Sequence, residues 1–225
     1  MAKLSKRMKA IKSSVDTKKI YTVEEAVSIL KNTANVKFDS SLEAHISLGI
    51  DPKKGEQIVR STVTLPHGNG KVRKLVAFTT KIDEAKAAGA DIIGDDEYIE
   101  KIRQSGKCDF DIAVATPEIM PRLASIAKIL GQKGLMPNPK SGTIDNDVKK
   151  MITELKSGKE SFKNDDSANV HLAVGKISFD ENKLVDNVKS FVDAVKKAKP
   201  QSLKGVYIKS VALSSTMGPG LKVNM

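Results

Sequence analysis

A chain of 225 residues is long enough for one large domain or two ordinary ones, and 40% hydrophobic with 29% charged residues is typical of a globular protein. The sequence has no apolar run of about 18 residues, which excludes a membrane-spanning helix, and its single cysteine excludes an internal disulfide and suits a reducing compartment such as the cytoplasm. A net charge of +11 favours a polyanionic partner, either nucleic acid or an acidic membrane surface, although simple solubility also accounts for it.

The first third of the chain predicts one helix and two alternating strands. Residues 22–32 carry apolar side chains at helical spacing, and Thr22 with Glu25 has the pattern of a capping box. Residues 42–49 and 57–65 alternate, so each strand is expected to bury one face and expose the other. Because no apolar stretch follows the basic N-terminal segment, we expect no secretory signal.

The middle of the chain alternates short apolar runs with helical patterns. The predicted strands are 72–80, 91–94 and 111–116, and the predicted helices are 83–89, 97–104, 117–130 and 147–156. Alternation of this kind predicts a parallel sheet covered by helices.

The last third predicts further strands around one long helix. The strands are 168–178, 206–213 and 221–224, and the helix is 182–198. One helix with two strands is too small to bury a core alone, so we expect the two ends of the chain to fold together.

The resulting fold class is α/β with two domains. The first, a discontinuous α+β sandwich of residues 1–66 and 161–225, should have two helices on a four-stranded, antiparallel-type sheet. Residues 67–160 would be inserted as the second domain, and the two adjacent crossings would form a hinge. A string of three separate domains is the alternative.

Candidate catalytic, metal and cofactor sites are weak, and we predict that the chain is not an enzyme and carries no metal or cofactor. His45, His67 and His171 are scattered, and His45 is expected to be a surface or hydrogen-bonded histidine. The "GNGK" stretch at 68–71 lacks the third glycine and the acidic residue of a dinucleotide site. The "GLMPNPKSGT" loop at 134–143 is interpreted as a cap on the sheet, with contact to a second polyanion as the alternative. A nucleotide-dependent enzyme built on the middle segment is therefore a rival hypothesis.

The polar loops favour a folded RNA as the partner. With six Phe, three Tyr and no Trp, the chain is poorly suited to stacking many bases, whereas RNA shape, phosphates and 2′-hydroxyls are read by short polar side chains. Three such stretches adjoin predicted strands: "KFDSS" (37–41), "NDDS" (164–167) and "TMG" (216–218). Lys176, Lys204 and Lys209 could add phosphate contacts. Phe38 could be a core or a contact residue, and Met217 is expected to be exposed. A non-specific basic binder is a second rival.

Seven motifs run in order through essentially the whole chain: "KFD" (37–39), "LGIDPKK" (48–54), "VTLPHGNGK" (63–71), "ATPEIM" (115–120), "LGQKGLMPNPKSGT" (130–143), "KNDDSANVH" (163–171) and "SSTMGPG" (214–220). Together they resemble the family of large-subunit ribosomal protein one in its bacterial form.

This resemblance implies a structural and regulatory role. It implies a discontinuous first domain with an inserted Rossmann-like second domain, and binding to large-subunit (23S) ribosomal RNA. It further implies a mobile ribosomal stalk in the cytoplasm that contacts deacylated tRNA leaving the exit site, and repression of the protein's own operon mRNA. No membrane partner is implied, and the free protein is expected to be monomeric.

The resemblance also implies an RNA-contacting patch. Carried over motif by motif, it consists of Lys37, Phe38, Ser41, Asp165, Ser210, Thr216, Met217 and Gly218. Ser41 stands where the family often has threonine. Asp165 would accept hydrogen bonds rather than bind phosphate, and Gly218 would let the backbone approach the RNA closely.

Overall fold

The computed structural model describes residues 5–16 and 19–224, and its contacts divide the chain into two compact units. The discontinuous unit consists of Met1–Gly70 with Glu160–Met225, and the continuous unit is Lys71–Lys159. Both mix helices with strands, as the sequence predicts. Within the described residues, no helix combines the length and the apolar character required to span a membrane.

The strands and helices, in chain order, are α1 (Lys6–Ser14), β1 (Ile20–Tyr21), α2 (Val23–Thr33), β2 (Ser41–Leu48), β3 (Arg60–Thr64), β4 (Leu75–Phe78), α3 (Ile82–Ala87), β5 (Ile92–Ile93), α4 (Asp96–Ser105), β6 (Ile112–Ala115), α5 (Met120–Leu123), α6 (Ala127–Gln132), α7 (Val148–Lys156), β7 (Lys159–Lys163), β8 (Asn169–Lys176), α8 (Glu181–Lys197), β9 (Ile208–Ser215) and β10 (Gly220–Val223).

The main sheet of the discontinuous unit has five strands in the order β1-β10-β9-β2-β8. The β1–β10 pair is parallel and the other pairs are antiparallel. The sequence predicts a sheet of four strands, one of them at residues 57–65. This prediction is wrong both in the number of strands and in the place of that segment. That segment forms β3 after a 3₁₀ turn at Gly55–Gln57, and it pairs with β7 in a separate two-stranded sheet.

One face of the main sheet is apolar and carries the helices. Along β2, buried residues alternate strictly with half-buried ones. The buried residues Leu42, Ala44, Ile46 and Leu48 belong to the same core as residues of α2 and α8, among them Phe191. We call the opposite face, on which β2 presents Ser41, Glu43, His45 and Ser47, the polar face.

The first long helix begins where the sequence predicts. The Thr22 hydroxyl accepts a hydrogen bond from the Glu25 backbone N–H at 3.2 Å, and the Glu25 carboxylate accepts one from the Thr22 N–H at 3.1 Å. This confirms the capping box, which satisfies two N–H groups that the helix itself cannot pair.

The continuous unit contains a three-stranded parallel sheet, as the alternation of strands and helices predicts, and its strands lie in the order β5-β4-β6. Alternate residues of β4 enter two different cores. Val76 and Phe78 pack with α4, α5 and α6, whereas Leu75 and Ala77 pack with α3 and α7. The predicted helix 117–130 is interrupted by a 3₁₀ turn at Ala124–Ile126, and the prediction of one continuous helix is wrong there.

Candidate nucleic-acid interface

The loop after β9 is tied to the first residue of β2. The Thr216 hydroxyl accepts a hydrogen bond from the Ser41 N–H at 3.0 Å and donates one to the Ser41 carbonyl at 3.3 Å. The Thr216 N–H also donates to that carbonyl, at 3.0 Å. β2 and β9 are antiparallel neighbours, with Leu42 opposite Ser215, so two stretches far apart in sequence meet at one end of the sheet.

An ammonium group joins this end of the sheet. Lys176, the last residue of β8, lies opposite Ser41 in register. Its Nζ donates to the Ser41 hydroxyl at 3.1 Å and to the Asp39 carbonyl at 3.1 Å. The ammonium is thereby held beside the Thr216 loop, where a phosphate could reach it.

Met217 is presented outwards by a left-handed turn. Its φ is 65° and its side chain is 64% exposed, as expected from the sequence. The Arg7 guanidinium donates to the Met217 carbonyl at 2.7 Å and brings a second positive charge to the loop.

Gly218 has a structural reason to be glycine. Its N–H donates to the Ser215 carbonyl at 2.7 Å, and a Cβ at this position would overlap the buried Ser215 hydroxyl. The tight turn alone therefore explains why residue 218 is glycine, without a close approach of RNA. A valine here would open the turn, so it would not report on RNA contact alone.

Lys37 and Phe38 form an exposed bend just before β2. Phe38 is 54% exposed, which excludes the alternative that it is a core residue. The bend is fixed by Asp39, whose carboxylate accepts hydrogen bonds from the Ser178 N–H at 3.3 Å and the Ser178 hydroxyl at 2.9 Å. Both predicted contacts are thus available beside Ser41.

Asp165 shapes the turn between β7 and β8. Its carboxylate accepts hydrogen bonds from the N–H groups of Asn169, at 2.7 Å, and Ser167, at 2.9 Å. The bond from Asn169 is the main cause that lowers the pKa of this carboxyl, with smaller contributions from Ser167 and His171. Asn164, the first residue of the "NDDS" stretch, anchors the turn by accepting a hydrogen bond from the Val59 N–H at 2.9 Å, a role that the sequence did not indicate.

Asp165 and Ser210 lie at the other end of the polar face. Ser47 is the register partner of both Ser210 and Asn169, which adjoins the Asp165 turn. Ser41 and Ser47 are separated by six strand residues, or about 20 Å. The structure therefore groups six of the eight predicted residues at one end of the face and two at the other.

Two histidines connect the two ends. His45 and His171 are register partners, and their Nδ1 atoms are 2.8 Å apart. Of the two expectations for His45, a surface or a hydrogen-bonded histidine, the second is confirmed, because the ring is half-buried and its Nε2 also lies 2.8 Å from the Ser214 hydroxyl. Sequence reasoning missed the pairing, since the register of two distant strands cannot be read from either strand alone.

The "GLMPNPKSGT" loop of the continuous unit closes on itself. The Thr143 hydroxyl accepts a hydrogen bond from the Asn138 N–H at 2.8 Å and donates to the Asn138 carbonyl at 3.1 Å. The Thr143 carbonyl in turn accepts the N–H of Ala115 at 3.0 Å, at the end of β6. These contacts support the interpretation of the loop as a cap on the sheet.

Comparison with known proteins identifies the family. Residues 30–219, which include all eight predicted contacts, match the model of the ribosomal protein L1p/L10e family. The chain belongs to this family.

Relatives that carry the name large ribosomal subunit protein uL1 align with this chain over nearly their full length. The relative from Mycoplasma capricolum is 48% identical, over 99% of each chain. That from Macrococcus caseolyticus is 48% identical, over all of this chain and 97% of its own. That from Corynebacterium glutamicum (strain R) is 47% identical, over all of this chain and 95% of its own.

Proposed function

We propose that this chain is a structural protein of the large ribosomal subunit, located in the cytoplasm on the ribosome, and that the polar face of its discontinuous unit binds 23S ribosomal RNA. The main support is the Thr216–Met217 loop, which is hydrogen-bonded to Ser41 beside Lys176 while its methionine side chain stays exposed. A rigid, exposed loop beside two cationic groups suits a folded RNA, because its ordering cost is met before binding.

The two units are proposed as the two domains of the protein. Residues 1–66 with 161–225 would form the RNA-binding domain, and 67–160 the Rossmann-like domain. The compact units shift these boundaries slightly, because residues 67–70 and Glu160 belong to the discontinuous unit. The compact units and their separate cores support this division.

The finer roles are proposals that rest on membership of the family. The protein would form the mobile stalk near the exit site and assist the release of deacylated tRNA. It would also repress translation by binding its own operon mRNA through the same polar face. It would act without catalysis, as a monomer when it is off the ribosome.

The first test compares the affinity of the protein for a stalk fragment of 23S RNA with its affinity for a scrambled fragment, at about 50 and about 200 mM salt. We expect tight binding to the stalk fragment that largely persists at the higher salt, and weak, salt-sensitive binding to the scrambled one. Equal, salt-sensitive binding to both would mean that charge alone acts, and the proposal would fail.

Lys37 supplies a separate test of the same face. We expect Lys37→Gln to weaken binding to the stalk fragment and to the scrambled fragment by the same factor, because one phosphate contact is lost. The slope of log K against log salt should become shallower by about 0.7 to 0.9. Lys189→Gln is the matched control, since Lys189 lies on α8, which packs on the opposite face of the sheet. An equal change of slope in both variants would contradict the assignment of Lys37.

A further inference from the structure

The two histidines of the polar face form one hydrogen-bonded unit. Their ring centroids are 5.0 Å apart, close to the Nδ1–Nδ1 distance of 2.8 Å plus the two ring radii. The two Nδ1 atoms therefore point almost directly at one another. That is the geometry of an N–H···N hydrogen bond, whereas two ligands of one metal ion would direct their lone pairs to a third point.

The outer nitrogens decide which ring donates. His171 Nε2 lies 3.4 Å from the Asp165 carboxylate, which can only accept, so this nitrogen carries the proton. The Nδ1 of neutral His171 is then the acceptor, and His45 Nδ1 is the donor. His45 Nε2 is left without a proton and accepts from the Ser214 hydroxyl. Every nitrogen is satisfied while both rings are neutral.

This network has room for one further proton. A proton added to His45 Nε2 is accommodated when the Ser214 hydroxyl rotates from donor to acceptor, and the bond between the histidines remains intact. A second added proton would have to enter at His171 Nδ1, where it would face the N–H of His45. The pair can therefore hold a single positive charge without internal repulsion.

The surroundings of His45 favour its neutral form but leave it open to a polyanion. Burial lowers the pKa of His45, His171 lowers it further, and Glu43 raises it. Charged side chains on the same face include Glu43 from β2, Lys176 from β8, Lys222 from β10 and Asp165 from the turn, and Arg7 of α1 reaches the Met217 carbonyl. An RNA that reaches both the Thr216 end and the Ser210 end must cross the histidines, and its phosphates would stabilise the charged form.

We infer that His45 and His171 are RNA contacts and that together they take up one proton when RNA binds. This inference rests on the proposed RNA-binding function. Since the bound form holds the extra proton, affinity should rise as the pH falls. The dissociation constant for the stalk fragment should decrease by about threefold to tenfold as the pH falls from about 7.5 to about 6. Uptake of one proton on binding changes a dissociation constant by at most about tenfold per pH unit, so this change is within the limit.

The experiment measures RNA affinity over this pH range and, by calorimetry in buffers of different ionisation enthalpy, the number of protons taken up. The variants are His45→Gln/His171→Gln and the control His67→Gln. His67 belongs to the same unit but lies beside Asp186 of α8. Thermal unfolding of each variant verifies that it is folded.

Loss of proton uptake and of the pH dependence in the double variant, with both retained in His67→Gln, is the expected result. The same uptake in the double variant and in the original protein would overturn the inference, because the proton would then belong to the RNA or to another group. If the original protein fails to prefer the stalk fragment over the scrambled one, the proposed function itself fails. This result concerns RNA preference and not proton uptake, so it can be distinguished from a failure of the histidine inference.

Discussion

Replacing Asn187 by leucine is expected to lower the free energy of unfolding of the discontinuous unit by about 3 kcal/mol. Asn187 lies on α8 and is fully buried. Its amide oxygen accepts the His67 N–H at 3.2 Å, and its amide nitrogen donates to the carbonyls of Gly68, at 2.9 Å, and Val174, at 2.7 Å. Leucine has the same branched arrangement of side-chain atoms but leaves all three backbone groups without this partner, and buried groups without partners are costly.

Chemical denaturation followed by circular dichroism measures this effect. Asn182→Leu is the control, because Asn182 lies near the start of the same helix and is exposed. We expect the control to change stability by less than about 0.5 kcal/mol. A similar, small change in both variants would show that the three hydrogen bonds contribute little.

Replacing Thr216 by valine is expected to weaken binding to the stalk RNA fragment by about 10- to 100-fold, which corresponds to about 1.4 to 2.7 kcal/mol. Valine keeps the shape of threonine and the backbone N–H bond to the Ser41 carbonyl, but it loses both hydrogen bonds that the hydroxyl makes with Ser41. The loop that presents Met217 would then be held by backbone hydrogen bonds and Arg7 alone, and part of the ordering cost would be incurred at binding.

The matched control is Thr216→Ser, which retains the hydroxyl and should bind within about threefold of the original protein. Affinity for a scrambled RNA should be nearly the same in all three proteins, because the net charge does not change. If valine reduced binding to cognate and scrambled RNA equally, the loop would have no part in recognition.

Local features of the fold could be predicted from the sequence because their causes lie within a few residues. The capping box needs only Thr22 and Glu25, and the alternation along β2 needs only its own side chains. The parallel direction of the strands in the continuous unit follows from the helices that alternate with them along the chain.

Features that depend on distant partners could not be predicted. β1 is two residues long and exists through its pairing with Lys222 and Val223 of β10, nearly the whole chain away. β3 pairs with β7, a segment whose sequence gives no strong strand pattern. For the same reason, the resemblance to a family gave the eight residues of the candidate site but not its division into two ends, nor the histidine pair between them.

The strand order of the main sheet also determines when this sheet can form while the chain is being synthesised. β2 is made early, yet both of its neighbours, β8 and β9, are made after the whole continuous unit. Until they emerge, neither edge of β2 can form its native hydrogen bonds, and unpaired strand edges invite pairing with other chains. The three strands of the continuous unit, by contrast, lie close together in sequence. A chain released before β8 therefore carries a finished continuous unit attached to a β2 that has no native partner on either side.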